Sequence, residues 1–101
     1  MAVSANFDEG SQKLTIAVEG RFDFSAHKDF RDSYEDREDS PQCYSIDMTA
    51  ANYIDSSALG MLLLLRDFAG GDSAEVEIVN CSSEVKKILS ISNFDQLFVI
   101  H

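Results

Sequence analysis

The segment Asp55-Ser56-Ser57-Ala58-Leu59-Gly60-Met61-Leu62-Leu63-Leu64-Leu65 constrains this chain more than any other, because it sets two hydroxyls between an acidic residue and a very apolar run. Ala58 to Phe68 holds good helix formers and no glycine beyond Gly60. Leu59, Leu62 and Leu63 on one side, and Met61, Leu65 and Phe68 on another, recur at three- or four-residue spacing. The pattern predicts a helix largely buried against a sheet, with the Leu62 to Leu65 run in the core. Asp55 or Ser56 caps it, since a short side-chain oxygen can accept from an orphan N–H of the first turn. The N-terminus of such a helix stays at the rim of the fold, where its dipole favours an anion by about 0.3–1 kcal/mol. A serine there can carry a phosphate without unfolding the domain.

The flanking segments alternate between period two and helical period. Val3 to Phe7 and Leu14 to Val18 read as two strands joined through the turn Asp8-Glu9-Gly10, an opening hairpin. Gly20-Arg21-Phe22-Asp23 reads as a loop, and Ser25 caps a first helix running to about Arg37, with Phe30 and Tyr34 on its inner face. Pro41 closes that region. Tyr44, Ile46 and Met48 alternate along a third strand. Beyond the leucine-rich helix, Gly70-Gly71-Asp72 is a turn, and Val76 to Val79 is a fourth strand at or beside the centre of the sheet. Ser82 or Ser83 caps a third helix that ends at Asn93, and Leu97 to Ile100 forms the last strand. The order implies an α/β fold: one domain, residues 1–101, with a mixed sheet that starts as a hairpin and continues by parallel crossovers.

Charge narrows the partners. Eighteen acidic residues against eight basic ones give −10, which opposes nucleic acid and anionic lipid. The same charge on a small surface argues for a monomer. The start of the sequence has neither a basic stretch nor an apolar run, and no stretch is long enough to span a bilayer, so a soluble cytoplasmic protein is expected. Cys43 and Cys81 are too few and too far apart for a metal motif and read as core thiols without a disulfide. A serine hydrolase needs a base and an oxyanion site. His27 and His101 are the two histidines, each read as a solvated side chain, and Gly-x-Ser-x-Gly is absent. Gly70-Gly71 lacks the Lys-Ser/Thr of a phosphate-binding loop. No catalytic residue, cofactor or metal is expected.

Asp55-Ser56-Ser57-Ala58-Leu59-Gly60, preceded by Ile46-Asp47-Met48 and by Gly20-Arg21-Phe22-Asp23, resembles the bacterial anti-sigma factor antagonists of the STAS family over essentially the whole chain. One departure is Ala58, where that family more often has glycine. The resemblance implies a sheet with helices packed mainly on one face. It further implies that Ser56 is phosphorylated by a partner that is both anti-sigma factor and serine kinase, and that a PP2C-type phosphatase restores it. Asp23 corresponds to an acidic residue beside the acceptor that contributes to partner binding. Ser57 corresponds to a second hydroxyl that neighbours the acceptor, and Asp55 caps and shapes the site. Two other outputs fit the same sequence: a phosphorylation-independent accessory subunit of a membrane transporter, or the same phosphoswitch directed to secretion, motility or biofilm control.

Overall fold

The computed structural model describes residues 2–101. Strands β1 (Val3–Asp8) and β2 (Lys13–Val18) form the expected antiparallel hairpin, in register from Val3 opposite Val18 to Asp8 opposite Lys13. Asp8 holds its turn by accepting from the Ser11 hydroxyl at 2.6 Å. Then follow β3 (Gly20–Phe22), α1 (His27–Asp32), β4 (Cys43–Asp47), β5 (Ala51–Ile54), α2 (Ser56–Phe68), β6 (Val76–Val79), α3 (Ser83–Ile91) and β7 (Val99–Ile100). Five strands make the main sheet in the order β1-β2-β4-β6-β7, with every pairing after the hairpin parallel. β4 is central and β6 lies beside it. β3 and β5 form a separate two-stranded parallel sheet.

Alternation along the strands gives the main sheet one dry face. Leu14, Ile16 and Val18 of β2, Ile46 of β4 and Ile78 of β6 are fully buried, while Lys13, Thr15, Asp47 and Glu77 on the other face stay partly exposed. The helices pack on the dry face and bring Phe30, Leu62, Leu65, Val85 and Leu89 to it. Each such side chain contributes about 1.5–3 kcal/mol of burial. Among the described residues no helix is long and apolar enough to cross a membrane.

Several expectations are corrected. The first helix ends at Asp32 rather than near Arg37, because the Ser33 hydroxyl donates to the Phe30 carbonyl at 2.5 Å and the acidic run beyond opposes a helix C-terminus. Its approach is capped by Asp23, not Ser25. The leucine run is only half core: Leu62 and Leu65 are buried, but Leu63 is 41% and Leu64 56% exposed, since consecutive helical residues point about 100° apart. Both cysteines are half-buried free thiols: Cys81, two residues past β6, packs against the core, whereas Cys43 at the start of β4 lies outside it. The last strand is only Val99–Ile100. Asn93 does stop α3, in a left-handed conformation (φ 62°), and a short 3-10 turn over Phe94–Gln96 stacks Phe94 on Phe98 before the chain extends.

Candidate functional site

The small β3–β5 sheet is what builds the site. Phe22 pairs with Ile54 at the ends of its strands, so the next residues, Asp23 and Asp55, leave the sheet side by side. Both have extended backbones, and both cap the helical turn that follows. Asp23 accepts from the backbone N–H of Ser25 at 3.0 Å and from its hydroxyl at 2.5 Å. Asp55 accepts from the N–H of Ala58 at 3.1 Å and from the Ser57 hydroxyl at 3.0 Å. The same Asp-x-Ser device thus appears twice on one rim. It settles the open choice of cap for the leucine-rich helix: Asp55 is the cap, and Ser56 is the first helical residue.

This assignment separates the two hydroxyls that the sequence sets together. Ser57 is partly buried and its hydroxyl is committed to Asp55. Ser56 is exposed, and among the described residues its side chain takes no part in the hydrogen bonds that tie Ser25 and Ser57. It stands on the first turn of α2, where backbone N–H groups and the helix dipole offer positive potential.

Sequence reasoning missed three further residues of the rim. Arg21 lies directly across from Tyr53 in the β3–β5 register, and its guanidinium sits over the Tyr53 ring at 3.8 Å from the centroid. Its Nε also donates to Asp23 at 3.3 Å. Hydrogen bonds from Ser25, with a smaller contribution from Arg21, hold the Asp23 carboxyl below its ordinary value, so it is an anion at neutral pH. Phe24 is 69% exposed and stacks on His27, which is therefore half-buried against a ring instead of free in solvent. β3 has three residues and a register shift after Gly20, too short for any alternation to betray a strand.

A cavity of about 570 Å³ lies elsewhere. It opens among Lys13, Cys43, Tyr44, Val76 and Phe98, at the starts of the parallel strands, whereas Asp23 and Asp55 follow the ends of β3 and β5. Near that cavity Glu77 receives Lys13 at 3.0 Å and lies 3.3 Å from Nε2 of His101, so the terminal histidine has a carboxylate neighbour that the sequence did not reveal.

Comparison with known proteins covers nearly the full length. The family description "STAS domain" matches residues 3–101. A STAS-domain containing protein of Pseudomonas aeruginosa (strain UCBPP-PA14) is 58% identical over 100 residues, covering 99% of either chain. Among solved structures, an anti-sigma factor antagonist from Mycobacterium paratuberculosis superposes with a TM-score of 0.76 at 16% identity, covering 98% of this chain and 85% of that one. A sulfate transporter family protein from Wolinella succinogenes gives 0.78 at 14% identity, covering 94% and 80%. At those identities the likeness is one of fold.

Proposed function

The chain belongs to the STAS domain family, and we propose that it is an anti-sigma factor antagonist whose Ser56 hydroxyl is the acceptor of a phosphorylation switch. One observation carries this reading: of the serines on the Asp23/Asp55 rim, Ser56 alone is exposed with its hydroxyl uncommitted among the described residues. A serine kinase that is also the anti-sigma factor transfers the terminal phosphoryl group of ATP to Ser56 Oγ, with loss of the hydroxyl proton and departure of ADP. A PP2C-type phosphatase hydrolyses the O–P bond and returns the hydroxyl. This chain supplies the substrate group, catalysis belongs to the partners, and the cycle runs in the cytoplasm.

Magnitudes favour a switch of binding over a switch of fold. A phosphate brings about −1.5 to −2 charges. The helix start attracts it by about 0.3–1 kcal/mol, and each nearby carboxylate repels it by about 1 kcal/mol at 4 Å in water. Repulsion exceeds attraction by no more than a few kcal/mol, less than the about 5–15 kcal/mol that holds a typical domain together, so the domain stays folded. A partner seated over Ser56, Asp23 and Phe24 meets new charge and bulk at the contact, and it is lost.

The test is affinity capture from extract of the source cells on immobilised Ser56→Ala and Ser56→Asp proteins. The expected result is a kinase-bearing anti-sigma factor retained by the alanine protein and lost from the aspartate one. Equal retention by both overturns the proposal. The fold shared with a sulfate transporter family protein motivates a second reading, an accessory subunit indifferent to Ser56; it predicts a transporter component retained equally by both. A target in secretion, motility or biofilm control keeps the Ser56 dependence and changes only which regulator the captured kinase releases.

A further inference from the structure

We infer that Arg21 is the residue that receives the phosphate: when Ser56 is phosphorylated, the guanidinium leaves Asp23 and pairs with the phosphoserine oxygens. The inference rests on Ser56 being an acceptor and adds how the modified side chain is held. Alternation puts Arg21 and Asp23 on one face of β3, and Tyr53 and Asp55 on the same face of β5, because Arg21 and Tyr53 are opposite each other in register. With neighbouring strands about 4.8 Å apart and a rise of about 3.3 Å per residue, the Cα atoms of Arg21 and Asp55 lie about 8 Å apart, one residue before Ser56. A guanidinium and a phosphoserine span that interval between them.

Chemistry gives the exchange its direction. The bond from Arg21 to Asp23 is single and, at 3.3 Å, longer than the roughly 2.7–2.9 Å of a strong charge-assisted pair. A phosphate offers more charge and a pair of oxygens that match the guanidinium fork. Asp23 keeps its two bonds from Ser25 after Arg21 departs, so the move leaves no carboxylate unsatisfied. Arg21 is 63% exposed along its side chain and free to turn, while the Tyr53 ring limits where it rests. The other arginines, with Lys13 and Lys28, already hold carboxylates of their own, in the pairs Lys13–Glu77, Lys28–Asp32, Arg31–Glu35, Arg37–Asp39 and Arg66–Asp72.

The experiment places phosphoserine at position 56 of the full chain by genetic encoding and follows its second ionisation by phosphorus NMR. Asp23 and Asp55 raise that ionisation, whereas Arg21 and the α2 start lower it. Arg21→Gln is expected to shift it upward by about half a pH unit. Arg21→Lys should shift it less, and Lys28→Gln, which removes an equal charge from α1, should leave it unchanged. An identical titration in Arg21→Gln and the parent phosphoprotein overturns the assignment. Because the phosphate is installed directly, that result would leave the Ser56 reading intact, and a failure of cellular kinases to use Ser56 would leave the titration intact.

Discussion

Asp23 and Asp55 occupy equivalent places one residue past two paired strands, with backbone angles of φ −135°, ψ −168° and φ −129°, ψ −173°, and each binds the hydroxyl of the serine two residues on. The parallel β3–β5 pairing makes them neighbours although 32 positions separate them in sequence. Ser56, between Asp55 and Ser57, is the position this arrangement leaves open.

Removing the cap of α2 should cost stability without touching the core. Asp55→Ala is expected to destabilise the protein by about 1 kcal/mol in urea unfolding, and Asp55→Asn by much less, because an amide oxygen also accepts from the Ala58 N–H. Ser57→Ala should fall below Asp55→Ala, since the serine only donates to the cap and leaves the Ala58 bond in place.

The leucine run should divide by face. Leu62→Ala, at a fully buried position, is expected to cost about 2–5 kcal/mol, and Leu64→Ala, more than half exposed, no more than about 0.5 kcal/mol. Chemical denaturation of the two variants reads this directly.

Acid should weaken the fold in part through Asp47. Its carboxylate accepts from the Thr49 hydroxyl and N–H and from Asn80, tying the end of β4 to the chain beyond β6, and these bonds hold its pKa below the ordinary 3.8. The unfolded chain therefore binds its proton first as pH falls. The stabilisation is present above the unfolded value and is lost as pH drops through the folded one. Unfolding free energy measured from pH 6 to pH 3 should fall less steeply in Asp47→Asn than in the parent. A slope remains in the variant, because Asp8, Asp23 and Asp39 are shifted in the same direction.

Strong periodicity made the hairpin, β4, β6, α2 and α3 legible in the sequence. Short segments did not announce themselves: Gly20–Phe22 and Ala51–Ile54 become strands only by pairing with each other, a long-range choice that no local pattern encodes. Ser56, Ser57, Asp23 and Asp55 were legible as residues because cap chemistry and family resemblance both point to them. Their division of labour was not. Which oxygen caps α2, and which hydroxyl is left open, depends on the backbone angles at Asp55 and on where Ser57 turns. Arg21 and Tyr53 were invisible for the same reason as β3 and β5, since their contact exists only across that pairing.

Intact mass with peptide mapping tests the central claim most directly, on the protein and on Ser56→Ala incubated with ATP in extract of the source cells while phosphatases are inhibited. A single added phosphate, mapped to Ser56 and missing from the alanine variant, is the predicted result. No phosphate on the protein, in extract that phosphorylates a control substrate, or a phosphate that maps to Ser25 or Ser57, would contradict it.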